Sequence, residues 1–104
     1  MEYMRIIAVD FDGTLVENRW PDIGPARADI LQAALKAQSE GAKIILWTCR
    51  DGKLLDDAVE WCRSVGLALD AINDNIPEVV SHYGKRNPRK VTATEYWDDR
   101  AIKC

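Results

Sequence analysis

Two aspartates at the end of an apolar segment carry the clearest chemical signal in the sequence. Asp10 and Asp12 stand two residues apart in the run DFDGTL, directly after MRIIAV, and Gly13 follows them. Paired carboxylates can transfer protons, attack an electrophile or bind a hard cation. The pattern argues against an EF-hand calcium loop, because the glycine of such a loop stands five residues after its first acid and the loop joins two helices. Gly13 stands three residues after Asp10 and follows a strand-like segment, which leaves an ordinary acidic turn as the alternative to a functional one.

Other chemically useful side chains stand at the ends of later apolar segments. Thr48 follows KIILW, and Asp98 and Asp99 follow a segment rich in β-branched and aromatic residues. A threonine at a strand end is usually a capping or turn residue, so Thr48 gains significance only from its register with Asp10. Arg50 could contact a second group of a substrate, but we predict that it is a solvated surface side chain.

The elements that must position these residues alternate between strand-like and helix-like patterns, which is typical of α/β architecture. Strands are predicted at Met4–Val9, Lys43–Trp47, Leu67–Ile72 and Val91–Trp97. Helices are predicted over Arg27–Glu40, from a cap at Asp51 to Gly66, and, for a short third helix, from Asn75 and Pro77 to near Gly84. The sequence thus predicts one Rossmann-like, three-layer domain over residues 1–104, with a mainly parallel sheet of about four strands.

The predicted topology brings the polar strand ends together. Consecutive strands that are joined by a crossover helix run parallel, so their carboxyl ends emerge at one edge of the sheet. Asp10, Thr48 and Asp98 are therefore expected at this edge, where open α/β sheets bind their ligands.

The run Asp10–Leu15 resembles the first motif, DxDGT, of the haloacid dehalogenase-like (HAD) phosphohydrolase superfamily. Thr48 matches the second motif of that superfamily, and the pair Asp98 and Asp99 matches its fourth. The runs WPDIG and IILWTCR look like those of small capless bacterial or phage members. Only about 33 residues separate Thr14 from Thr48, enough for a loop and one helix, so no cap domain is expected.

The resemblance implies a role for each matched residue. Asp10 would be the nucleophile that forms an aspartyl-phosphate, Asp12 the general acid and base, and Thr48 the hydroxyl that hydrogen-bonds the transferring phosphoryl group. A carboxylate can attack phosphorus only if a divalent cation offsets the repulsion between two anions. The resemblance implies Mg²⁺, held by Asp10, the Asp12 backbone carbonyl and Asp98. Asp99 would bind the ion through water or cap the following segment.

The lysine of the third HAD motif is predicted to be Lys90, which stands eight residues before the acidic pair, as in small members of the superfamily. If Val91–Trp97 were fully extended, Lys90 would lie at the wrong end of the strand. The assignment requires residues 90–94 to form a loop over the active edge, with a short strand at Glu95–Trp97. Lys85 is the alternative.

Two other classes of protein combine some of these features. Receiver domains also have a phosphorylated aspartate, acidic metal ligands, a hydroxyl and a lysine, but their acidic pair is on the first strand and their phosphorylated aspartate is mid-chain. This sequence has the opposite order. A catalytically idle or partner-dependent binding protein stays open as well, because the sequence ends five residues after Asp99, where the family fold usually continues. The presence of Asp12 argues against it.

Composition limits the partners. The net charge of -3 gives no general attraction to nucleic acid or to an anionic membrane, and we interpret the local cluster Lys85, Arg86, Arg89 and Lys90 as a solvated loop. No apolar run is long enough to span a membrane. The three cysteines lack CxxC spacing, which suits a reducing cytoplasm, and Cys62 is predicted to pack in the core. The expected partner is a phosphorylated substrate at an open edge, which a second copy of the chain could help to cover.

Overall fold

The computed structural model describes residues 4–74, 76, 77, 93–98, 102 and 103. Their strands and helices, in chain order, are β1 Ile6–Val9, β2 Val16–Arg19, β3 Asp22–Ala26, α1 Ala28–Ser39, β4 Lys43–Leu46, α2 Gly52–Ser64, β5 Ala71–Ile72, β6 Glu95–Trp97 and β7 Ile102–Lys103. None of the helices in this described part of the chain is long and apolar enough to cross a membrane.

The main sheet has the order β5-β4-β1-β6-β7. The first four of these strands run parallel to one another, and β7 runs antiparallel to β6. This confirms the predicted α/β fold with a mainly parallel sheet of about four strands. The central strand β1 is buried along its whole length, because parallel strands with both faces covered read as continuous apolar runs.

Alternate side chains of the sheet enter two apolar clusters. Ile7 and Val9 of β1 pack with Ile44 and Leu46 of β4 on the face that carries the buried residues of both helices. The members of this cluster that come from α1 and α2 are Leu31, Ala34, Ala37, Ala58 and Cys62. Ile6, Ala8 and Ile45 point to the opposite face, where Ile76 is fully buried against them. The predicted core role of Cys62 is confirmed.

The strand order explains why α1 and α2 share a face. The chain moves from β1 to β4 and then to β5 in one direction, and successive right-handed crossovers in one direction place their helices on the same side. The strand β6 lies on the other side of β1, so the direction of winding reverses there. The predicted third helix, which would supply the third layer, lies outside the described residues except for Ile76 and Pro77.

Several predicted boundaries are wrong. The strand β5 occupies only Ala71–Ile72, and β6 occupies Glu95–Trp97 rather than Val91–Trp97. This short β6 is the strand that the assignment of Lys90 requires. The segment between β1 and α1 is predicted to be a loop, but β2 and β3 form an antiparallel hairpin there. Within this hairpin Arg19 pairs with Asp22, so Trp20 and Pro21 form the turn.

Candidate active site

The carboxyl ends of three neighbouring strands bring the predicted residues to one edge of the sheet. The Asp10 amide donates a hydrogen bond of 2.8 Å to the Trp97 carbonyl, so Asp10 and Asp98 follow paired positions of β1 and β6. On the other side of β1, the Trp47 amide donates to the Val9 carbonyl at 2.9 Å, which places Thr48 one residue further along. The winding reverses between β1 and β6, and such switch points are where open α/β sheets bind ligands.

The turn after β1 is held by its own backbone. The Phe11 carbonyl accepts hydrogen bonds of 3.1 to 3.2 Å from three successive amides, those of Thr14, Leu15 and Val16. Gly13 has a φ of 86°, a conformation that costs a glycine little and most other residues a good deal. The Phe11 amide donates to Asp10 Oδ1 at 2.8 Å. Because the Phe11 ring is fully buried, the turn between the two aspartates is fixed on the core.

Arg50 forms a two-pronged ion pair with Asp12. Its Nε donates to Asp12 Oδ2 and its Nη2 donates to Asp12 Oδ1, each at 2.7 Å. The Arg50 side chain is 1% exposed and that of Asp12 is 16% exposed. The hydrogen bonds to Asp12 raise the pKa of Arg50, and they outweigh the opposing effect of its burial. The Asp12 carboxylate therefore has one defined orientation.

The prediction that Arg50 is a solvated surface residue is wrong. Besides Asp12, its guanidinium lies within hydrogen-bond distance of the carbonyls of Asp22 at 3.0 Å and of Pro21 and Leu54 at 3.4 Å. It also lies 5.1 Å from the centroid of the Phe11 ring. A buried charge is tolerated when it is paired and its remaining donors are satisfied, and here both conditions hold. The sequence gives little sign that Arg50 is buried in an ion pair, because its partner Asp12 stands 38 residues away.

Thr48 is positioned by Asn73, a residue that the sequence pattern did not predict to be part of the site. The Thr48 amide donates to Asn73 Oδ1 at 2.8 Å, and Asn73 has a φ of 51°, a left-handed conformation that asparagine adopts more readily than most residues. The Thr48 hydroxyl accepts a hydrogen bond of 3.1 Å from the Arg50 amide. Its own proton is still able to donate. The only sequence feature that could have indicated this role is the position of Asn73 directly after β5.

Two tryptophans are exposed near this edge. Trp20, in the hairpin turn, is 60% exposed, and Trp47, at the end of β4, is 44% exposed. The Trp47 ring meets Tyr96 of β6 edge to face, with centroids 5.3 Å apart. The strand β1 lies between β4 and β6, so this aromatic pair spans β1 on the face that carries Ala8. Trp20 belongs to the hairpin, whose Val16 and Ile23 pack on the opposite face.

The donor types at this edge fit Mg²⁺. The carboxylates of Asp10 and Asp98 and the backbone carbonyl of Asp12 are hard oxygen ligands, and magnesium sites in proteins often use one or two carboxylates together with water and phosphate. The Asp12 carboxylate is engaged by Arg50. No cluster of three or more His, Cys, Asp or Glu side chains that could hold a metal occurs among the described residues. The predicted residues Lys90, Lys85 and Asp99 lie outside the part of the chain that the structure describes.

The fold and the acidic edge define a small Rossmann-like α/β domain without an inserted domain between β1 and α1. The solved structure of a conserved protein from Bacteroides thetaiotaomicron is similar to it, with a TM-score of 0.80 and 43% sequence identity over 95% of this chain and 78% of that chain. The chain therefore belongs to the same family as that conserved protein. The sequence matches no protein-family model and no curated protein.

Proposed function

We propose that the protein is a Mg²⁺-dependent phosphomonoester hydrolase that works through an aspartyl-phosphate on Asp10. The observation that carries the proposal is the fixed pair of carboxylates at the carboxyl edge of the sheet. Asp10 and Asp12 lie on one short turn whose amides bond to the Phe11 carbonyl, and Arg50 orients the Asp12 carboxylate. The resemblance of the DFDGTL run to the first HAD motif supports the same reaction.

In the first step a carboxylate oxygen of Asp10 attacks phosphorus, and the bond from phosphorus to the ester oxygen breaks. The leaving oxygen takes a proton from Asp12. In the second step water attacks the phosphorus of the aspartyl-phosphate and gives its proton to Asp12, which releases inorganic phosphate and regenerates Asp10. Bound Mg²⁺ would offset the repulsion between the carboxylate and the phosphate. The Thr48 hydroxyl would donate to a phosphoryl oxygen, and Lys90, or alternatively Lys85, would hold the nucleophile and the phosphate together.

The substrate would meet an open site. The segment between β1 and α1 contains a turn and the β2–β3 hairpin, so the site would admit a large phosphorylated substrate, or a small phosphate ester with help from a second copy of the chain. The net charge of -3 makes a polynucleotide a poorer candidate. Free thiols at Cys49 and Cys62 support a reducing compartment, and the cytoplasm is proposed.

The first test is the hydrolysis of p-nitrophenyl phosphate with Mg²⁺ and with EDTA. Activity should require the metal, and Asp10→Asn should abolish it while leaving the circular dichroism spectrum unchanged, because an amide cannot act as the nucleophile. Asp12→Ala should lower kcat by roughly 10² to 10⁴, the usual scale for lost acid-base catalysis. The matched control is Asp56→Asn, since Asp56 is an exposed carboxylate on α2. Full turnover by Asp10→Asn would exclude the covalent route.

One observation favours a second candidate, a phosphate-binding protein without turnover. Both oxygens of the Asp12 carboxylate are bound by Arg50, and an ion pair that only stabilises the turn would have the same geometry. Calorimetric titration with inorganic phosphate and Mg²⁺ separates the two candidates. A binding protein would take up phosphate yet hydrolyse none of a panel of sugar, nucleotide and polynucleotide phosphates, whereas the hydrolase would turn over at least one of them.

A further inference from the structure

The guanidinium of Arg50 connects three segments that are distant in sequence. Two of its nitrogens bind the carboxylate of Asp12 in the turn after β1. The same group reaches the carbonyls of Pro21 and Asp22 in the hairpin and the carbonyl of Leu54 in the first turn of α2. The Arg50 side chain is 1% exposed, so the ion pair is shielded from water on the arginine side.

Few side chains of the β2–β3 hairpin pack on the core. Val16 is buried at its base, and the half-buried Ile23, which pairs with Asn18 near the turn, packs on the core. The other residues of β2, from Glu17 to Arg19, are exposed, and so are Trp20 and Pro21 of the turn. The contacts from Arg50 to Pro21 and Asp22 therefore tie this turn to the same guanidinium that holds Asp12.

We propose that Arg50 is a positioning residue that holds the Asp12 carboxylate and the β2–β3 hairpin in one fixed arrangement. The predicted effect of Arg50 on turnover rests on the proposed function. The link between Asp12 and the hairpin rests on the contacts of Arg50 alone. Removing either partner of the ion pair would then disturb both the proton transfer and the hairpin.

The shape of the arginine side chain makes the proposal specific. A guanidinium is a planar fork with five N–H donors, which allows it to span two carboxylate oxygens and still reach carbonyls on its other side. The lysine ammonium is a single point of charge that cannot do both. Arg50→Lys should therefore fail to restore the wild-type behaviour although it keeps the positive charge.

The kinetic test compares two substrates of similar shape, p-nitrophenyl phosphate and phenyl phosphate. In the first step nitrophenolate needs less help from a proton than phenolate does, whereas the second step, in which Asp12 takes a proton from water, is common to both substrates. In Arg50→Lys and Arg50→Met, kcat/KM, which reports the first step, should therefore fall at least about tenfold more for phenyl phosphate than for p-nitrophenyl phosphate. In an Asp12→Ala background the same Arg50 substitutions should add little, because the two residues act as a unit.

The control for loss of charge is Lys53→Met. Lys53 lies in the first turn of α2, as Leu54 does, but its side chain is 86% exposed and pairs with Asp57. This variant should keep the wild-type ratio of the two kcat/KM values. A purely structural role for Arg50 would lower both kcat/KM values by the same factor and in both backgrounds, and that result would overturn the proposal.

A second measurement, amide hydrogen exchange, requires no turnover and does not require any Arg50 variant to fold. Asp12→Asn keeps the size of the side chain and removes the ion pair, so amide hydrogen exchange in residues 16–26 should become at least about tenfold faster than in the wild type, while exchange in β1 and β4 stays slow. Asp56→Asn serves as the control and should leave the hairpin unchanged. Unchanged exchange in the hairpin of Asp12→Asn would refute the link, whatever the activity. If the wild type hydrolyses neither substrate, the proposed function fails, and faster exchange would still support the link.

Discussion

The two free cysteines of the described chain have opposite environments, which gives a prediction at the scale of single residues. Burial raises the pKa of the Cys62 thiol to about 12, whereas Cys49 is exposed beside Thr48. The thiolate is the reactive form, so Cys62 should resist alkylation by iodoacetamide near pH 8 in the native protein and react only after unfolding in urea. Cys49 should react in the native state. Peptide mass spectrometry locates the adducts, and rapid native labelling of Cys62 would contradict the buried assignment.

At this scale the sequence predicts residues whose position follows from the strand to which they belong. Asp10, Thr48 and Asp98 follow apolar segments, and parallel strands bring such ends together. Arg50 and Asn73 were not predicted as parts of the site, because each is placed by a partner far along the chain. Arg50 meets Asp12 across 38 residues and Asn73 meets Thr48 across 25. An arginine two residues after a threonine gives no local sign that it will be buried in an ion pair with a distant carboxylate.

The hairpin supplies a prediction at the scale of elements. A Cβ atom at Gly24 would lie 2.2 Å from the Glu17 carbonyl oxygen, a distance that requires β2 and β3 to separate. Gly24→Ala should therefore destabilise the protein by roughly 1 to 3 kcal/mol, the usual cost of overpacking. Urea unfolding measures this difference. Glu17→Ala is the control, since its side chain is exposed and the backbone carbonyl remains, and it should change stability by less than about 0.5 kcal/mol.

The elements that the sequence predicted and those that it missed differ in how much apolar surface they bury. The helices α1 and α2 and the strands β1 and β4 have clear periodicity, because each packs on the core. The hairpin has one buried side chain in β2, and β3 contains Gly24 and Pro25, so its pattern resembles a loop. The strand predicted at Val91–Trp97 was too long, because β-branched residues also precede Glu95. The pairing of β6 with β1 begins only at Glu95.

At the scale of the whole molecule, an ion pair between Arg5 and Glu95 joins the segment before β1 to the strand β6. Arg5 donates two hydrogen bonds to the Glu95 carboxylate, that from Nη2 at 2.9 Å, and these bonds lower the pKa of Glu95 below its ordinary value of 4.5. A carboxyl with a lowered folded-state pKa stabilises the fold above its ordinary pKa, and this contribution is lost as the pH falls through the lowered value. Because Arg5 is half-exposed, its screened contribution is at most about 1 kcal/mol.

The expected result is that wild-type protein loses more unfolding free energy between about pH 5 and about pH 3 than Glu95→Gln does. Urea unfolding at several pH values measures the two curves. Glu17→Gln, which removes an exposed pair with Arg19, should follow the wild type. Parallel curves for Glu95→Gln and the wild type would show that this pair contributes nothing to stability.

The pairing of β1 with β6 also has a consequence for folding kinetics. The Thr94 amide bonds to the Ile6 carbonyl across 88 residues, so one side of the central strand is closed by a segment from near the other end of the chain. During synthesis, β1 can pair with β4 early, but its second edge waits until Glu95–Trp97 has left the ribosome. Such non-local closure slows folding, and an open apolar edge can pair with other chains. The nascent protein is therefore most prone to aggregation in the interval between the emergence of β4 and that of β6.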